Sequence, residues 1–147
     1  MKIPTFKESY NKIVDAYLND QLVPCSPCAC FVGNLLNNRN EWIQVRGLDF
    51  VINNKKTEYV EEGKACILEQ GGGFYTPEDI IGMEALFMKS IYGGELTKCE
   101  DDFEKDEWEE AIYQAMEKTL IKLKEIHEAK GEIIENYIFT KRKLELV

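Results

Sequence analysis

Three of the chain's five cysteines fall in one short run, Cys25-Ser26-Pro27-Cys28-Ala29-Cys30, and they are the residues whose type and spacing first suggest chemistry. Cys25 and Cys28 form a C-x-x-C pair around a proline. At a helix N-terminus the dipole stabilises a thiolate, which is the condition that thiol redox catalysis needs. That chemistry is normally housed after a strand in a βαβ unit, whereas the residues before Cys25 read as a helix. Cys25, Cys28 and Cys30, joined by Cys66, Cys99 or His127, would alternatively make a zinc or iron–sulfur site, but no second C-x-x-C or H-x3-H half completes the pattern. A third account needs no chemistry at all: free cysteine is among the most buried residue types, and small thiols fill close helix contacts. Packing accounts for the run most simply, and the thiol-redox or zinc site using Cys25, Cys28 and Cys30 stands as the alternative.

Other candidate residues are sparse. His127 is the only histidine, it lies in a charged helical stretch, and no G-x-S-x-G motif supports it as a general base. Glu69 and Glu84 are carboxylates in or near predicted helices, so no catalytic residue is assigned and no cofactor is implied. Gly71-Gly72-Gly73 lacks both the Gly-Lys-Ser/Thr of a P-loop and a G-x-G-x-x-G spacing, and reads as a connection. Eight acids lie between Glu100 and Glu110 against the single base Lys105. Such a run suits a DNA-mimicking or cation-binding surface, but acids also favour the first turns of a helix, and that assignment is adopted. The alternating acids and glycine of an EF-hand loop are absent.

Positive charge is concentrated in two places, Lys55-Lys56 and Lys141-Arg142-Lys143. On a chain of net charge −9, a small anionic, nucleotide-like ligand would have to be held at one of them, because local contacts must outweigh the overall field. Arg142 is the favoured contact, since its planar fork pairs bidentately with phosphate. Tyr75 or Trp42 would stack on a base, although both also suit a core.

The run Cys28-Ala29-Cys30-Phe31-Val32-Gly33-Asn34, together with Ile126-His127-Glu128 near the end of a long helix, resembles the cysteine-led C-A-V-G-N stretch of small uncharacterised proteins of anaerobic gut bacteria and their phages. Phe31 stands where that group more often has Ala. The resemblance implies a phage or mobile-element setting and no activity.

These residues must be positioned by helices. Thr5 and Glu8 form a predicted capping box, and Phe6, Tyr10, Ile13, Val14, Tyr17 and Leu18 make an apolar stripe. Asn19, Asp20 and Pro24 end that helix. Ser26 as N-cap and Pro27 at the first helical position predict a second, with Cys28, Phe31, Val32, Leu35 and Leu36 on its buried face, stopped by Asn37-Asn38-Arg39-Asn40. The β-branched and aromatic residues of 41–60, with Asn53-Asn54-Lys55-Lys56 as the turn, predict a small hairpin, and residues 61–70 a short helix. Thr76-Pro77-Glu78-Asp79 opens another helix, with Ile80, Met83, Phe87 and Ile91 on one face and Gly93-Gly94 at its end. A long helix carries Trp108, Ile112, Ala115, Met116, Leu120, Leu123 and Ile126. Gly131 breaks it, and an amphipathic continuation through Ile133, Ile134, Tyr137, Ile138 and Leu144 is expected.

The chain is thus read as one mainly α domain over residues 1–147, with four to six helices around one core and an inserted β-hairpin. Its 44% hydrophobic and 31% charged residues suffice for such a core. The start Met1-Lys2-Ile3-Pro4 has no apolar leader and no run spans a bilayer, so a soluble, cytoplasmic protein with reduced thiols is expected. An acidic chain of this kind repels a phosphate backbone and disfavours general nucleic-acid binding. Phe139, Leu144, Leu146 and Val147 beside the basic cluster are suited to docking on a second copy, making a homo-oligomer an open alternative to a monomer. The functional expectation is a non-enzymatic binding protein that occupies or sequesters a host protein or a small nucleotide-like ligand, with the thiol or metal protein as the alternative and an enzyme whose site the sequence does not reveal as a third class.

Overall fold

Thr5 opens the first helix because its hydroxyl accepts the Glu8 amide, which has no partner inside the helix, at 3.2 Å, and the Glu8 carboxylate accepts the Thr5 hydroxyl in return at 3.1 Å. The computed structural model describes residues 4–24, 29–38, 42, 74–93 and 103–134, and the chain folds there into four α-helices. They are α1 (Phe6–Leu18), α2 (Phe31–Leu35), α3 (Pro77–Tyr92) and α4 (Lys105–Ala129). Among the described residues there is no strand. The predicted hairpin and the short helix after it lie outside them except for Trp42, which is buried in a 3-10 turn where a strand was expected.

The second helix starts later than the sequence predicts. Ser26 and Pro27 lie outside the described residues, and the helix begins only at Phe31, with Cys30 as N-cap. The Cys30 sulfur accepts the Gly33 amide at 3.4 Å, and the Val23 amide pairs with the Ala29 carbonyl at 2.7 Å, which holds residue 29 out of a helical path. Asn37 and Asn38 end α2 with φ of 59° and 63°, a left-handed conformation that asparagine tolerates.

The long α4, about 37 Å at 1.5 Å per residue, is the spine of the fold. Helix α3 runs antiparallel to it: Asp79 pairs with Lys130 at one end, and Tyr92 packs on Trp108 at the other. Helix α1 is also antiparallel to α4, with Phe6 against His127 and Tyr17 against Tyr113. The short α2 fills the space between them, its Phe31 ring 5.9 Å from that of Phe87. Ile13, Phe31, Leu36, Met83, Phe87, Met116, Leu120 and Leu123 close one hydrophobic core. Full burial of each such side chain contributes about 1.5–3 kcal/mol, far more than helix propensity.

Both α3 termini follow the sequence reading. Thr76 and Asp79 complete a reciprocal capping box, and Gly93 ends the helix in the left-handed region at φ 61°. Two other expectations are corrected. Leu18, assigned to the apolar stripe of α1, is 43% exposed, because at the end of α1 it stands on the wall of an open groove beside the first turns of α4. Residues 132–134 after Gly131 are not helical and Ile133 is 84% exposed, while Tyr137, Ile138 and Leu144 of the expected continuation lie outside the described residues.

Candidate functional site

Two features carry polar or concave chemistry: a buried relay at one end of α4 and an open groove at the other. The relay is built by three helix ends. Gly131, at φ 101°, turns the chain back after α4 so that the Glu132 amide donates to the His127 carbonyl at 3.1 Å. The Glu132 side chain then reaches two targets. Its Oε1 lies 3.1 Å from His127 Nδ1, and its two carboxylate oxygens share the Phe6 amide, each at 3.1 Å. A carboxylate at the N-terminus of α1 also meets the positive end of that helix's dipole. On the other side of the imidazole, His127 Nε2 lies 2.7 Å from the Tyr75 hydroxyl, which lies 2.8 Å from Ser9 Oγ.

Proton positions follow from the partners. Glu132 as carboxylate only accepts, so Nδ1 carries the hydrogen; Nε2 of a neutral imidazole then accepts from Tyr75, and Ser9 donates to the Tyr75 oxygen. Burial pushes His127 below the ordinary histidine pKa, with Glu132 opposing that shift, and burial pushes the Tyr75 phenol far up. Phe74, whose ring centroid is 4.5 Å from that of His127, covers the imidazole. Lys130 caps the outside, with Nζ 3.2 Å from Asp79 Oδ2 and 5.2 Å from the Phe74 ring centre.

A hydroxyl, an imidazole and a carboxylate in series is also the arrangement of a charge relay. Here the serine and tyrosine are 2% exposed and the histidine is 0% exposed, and each polar atom is used to join α1, the start of α3 and the end of α4. The arrangement therefore works as a clasp. His127 was read from the sequence as a residue on a charged helix; the structure corrects this to a core position. The signal was present, since Met116, Leu120, Leu123 and His127 share the i, i+4, i+7, i+11 spacing of the apolar stripe.

The groove lies between the end of α1, the following loop and the first turns of α4. It encloses about 710 Å³, and its walls include Tyr17, Leu18, Val23, Trp108 and Ile112. Leu18 and Val23 are 43% and 41% exposed. Asp20, Lys105 and Glu109 supply its charges.

Of the residues singled out in the sequence, Cys25, Cys28, Lys55, Lys56, Lys141, Arg142 and Lys143 lie outside the described residues. Cys30 is buried, and burial pushes its thiol up to about 11, the opposite of what a thiolate nucleophile requires. The conformation of the Cys30–Asn34 run explains its composition: the sulfur caps the helix, and the Asn34 amide nitrogen donates towards the carbonyls of Gln21, Ala29 and Cys30 at 3.0, 2.8 and 3.0 Å. Among the described residues no His, Cys, Asp and Glu cluster is arranged to hold a metal. Tyr75 and Trp42, suggested as stacking platforms, are both buried. Lys118 and Lys122, which the sequence places among the bases suited to the C-terminal half of the long helix, flank a shallow cleft with Gly82, Leu86, Ile121 and Glu125 that the sequence does not show. No helix among the described residues is long and apolar enough to cross a membrane. No family model, curated protein or solved structure matches the chain.

Proposed function

We propose that the protein is a non-enzymatic binding protein that occupies or sequesters a partner, with the groove between α1 and α4 as its contact surface. The observation that carries this reading is the contrast between the two ends of α4. At one end every polar group of the Ser9–Tyr75–His127–Glu132 clasp is committed to joining elements, while at the other Leu18 and Val23 are left open to solvent beside Trp108 and Ile112. The phage or mobile-element setting implied by the resemblance is consistent with a small protein that acts by occupancy. A protein partner is favoured over an anionic small molecule because the groove's charges, Asp20 and Glu109 against Lys105, sum to a net negative.

The test is calorimetric titration with two classes of probe: linear and cyclic nucleotides, and peptides selected on the protein from a random display library. Heat from the selected peptides supports the reading. Heat from nucleotides that disappears in Arg142→Ala or in the Lys55/Lys56 double-alanine variant supports the small-ligand form of it and moves the site away from the groove. Heat from neither class refutes it. The thiol or metal alternative is tested in parallel by elemental analysis of protein purified under reducing conditions, where one zinc or iron per chain would establish it.

A further inference from the structure

We propose that the Ser9–Tyr75–His127–Glu132 clasp is a pH-sensitive latch: a proton taken up by His127 parts the Tyr75–Ser9 link and loosens the start of α3 from α1, while Glu132 stays in place. The first observation is a closed count of hydrogens. The neutral clasp holds three, on His127 Nδ1 and on the Tyr75 and Ser9 hydroxyls, and they fill its three links at 3.1, 2.7 and 2.8 Å. Among the described residues these three side chains have no further hydrogen-bond partner, and they are 0%, 2% and 2% exposed. A proton from solvent bonds to the Nε2 lone pair, so four hydrogens then share three links. Once Nε2–H points at the Tyr75 oxygen, the phenol hydrogen has to turn to Ser9, and the Ser9 hydrogen has no acceptor. Wherever the excess hydrogen rests, a buried donor is unpaired, which costs more than a made bond contributes.

The second observation is that the links are unequal. A charged imidazole turns the contact with Glu132 into an ion pair, and both Glu132 oxygens are also held by the Phe6 amide. The contact of Nε2 with Tyr75 likewise becomes charge-assisted. The Tyr75–Ser9 link joins two neutral hydroxyls, so it is the one that gives way. It is also the link that ties Tyr75, next to the N-cap Thr76 of α3, to α1.

The third observation is how the imidazole is covered. Phe74 lies over it, and Lys130 holds Phe74 from outside while pairing with Asp79. The Lys130 and Asp79 side chains are 29% and 22% exposed, and an ion pair that open to water secures a cover weakly. The groups facing His127 are Glu132 and Lys130 from the end of α4, Asp79 from α3 and the Tyr75 phenol, which burial keeps neutral; α1 presents Phe6 against the ring and Ser9 behind Tyr75, neither of them charged. Burial, the largest influence, holds His127 below the ordinary histidine value; Glu132 and Asp79 oppose that shift and Lys130 adds to it. The latch is therefore closed at neutral pH and opens in mild acid.

The experiment is NMR of the intact protein from about pH 7.5 to about pH 4.5. His127 is the only histidine, so the ring-nitrogen signals are its own. The expected result is a neutral ring carrying its hydrogen on Nδ1, which becomes imidazolium while the helices persist. At the same midpoint, amide exchange at Thr76, Asp79 and Ile80, in the cap and first turn of α3, should accelerate about tenfold or more beyond its intrinsic pH dependence. The Glu132 amide, bonded to the His127 carbonyl, should keep its protection. His127→Gln should abolish the step, and the wild-type signals decide alone if that variant does not fold. A ring that titrates without the acceleration would overturn the inference, since the fourth hydrogen would then be accommodated. So would a ring that stays neutral until the whole fold is lost, or a neutral ring protonated on Nε2. Acceleration that persists in His127→Gln would move the trigger to Asp79 or Glu132 and overturn it too.

Discussion

Replacing Tyr75 with Phe removes one oxygen from the centre of the clasp and leaves the ring in place. That oxygen makes two short contacts, 2.7 Å to His127 Nε2 and 2.8 Å to Ser9 Oγ, in a site from which solvent is excluded. Each bond contributes about 1 kcal/mol net, but a buried acceptor left unpaired costs about 1–3 kcal/mol. Nε2 becomes such an acceptor. Ser9 loses less, because a helical serine hydroxyl can turn to a carbonyl one turn back. Tyr75→Phe is therefore expected to cost about 2–4 kcal/mol and Ser9→Ala about 1 kcal/mol. Because the two act in series, the double variant should cost little more than Tyr75→Phe alone, a coupling of about 0.5–1 kcal/mol in the double-mutant cycle. Urea unfolding followed by tryptophan fluorescence measures this, since Trp42 is fully buried and Trp108 half-buried. Strict additivity, or a Tyr75→Phe cost within about 0.5 kcal/mol of zero, would refute the clasp as a stabilising relay.

Stability should also depend on His127 in a defined direction. Burial lowers its pKa in the fold, so on acidification the unfolded chain takes the proton first, and stability falls as pH drops through about 6.5 towards the folded value and levels off below it. His127→Phe should flatten that part of the wild-type curve; identical slopes in urea midpoints across this range would contradict it. Gly131→Ala should cost about 1–2 kcal/mol from backbone strain at φ 101°, because an added Cβ meets nothing within 4 Å, and Gly131→Asn should cost less. Cys30 should resist iodoacetamide near pH 8 in the native protein and label on unfolding, as read by peptide mass mapping; native labelling at the rate of a free thiol would contradict its burial and raised pKa.

The sequence by itself determined the helices whose signals are local. Thr5, Thr76-Pro77-Asp79 and Gly93 set helix ends through bonds spanning a few residues, and the stripes Ile80–Ile91 and Ala115–Ile126 set which faces are buried. Local signals were insufficient at α2. The start expected at Ser26 and Pro27 moved to Phe31, because the Val23–Ala29 pairing and the Asn34 amide, contacts between the loop and the helix, hold residues 29 and 30 in a non-helical path. The clasp was beyond any window reading. Ser9, Tyr75, His127 and Glu132 come from three separated segments, and only the antiparallel packing of α1 and α3 on α4 brings them within hydrogen-bond reach. His127 carried a periodic signal of burial but none of its partners. The groove is likewise a tertiary product: Leu18 reads as core from its spacing, and it is exposed because at the end of α1 it stands on the wall of an open groove beside the first turns of α4. Periodicity states which face of a helix is apolar, but whether that face is covered depends on what the fold packs against it.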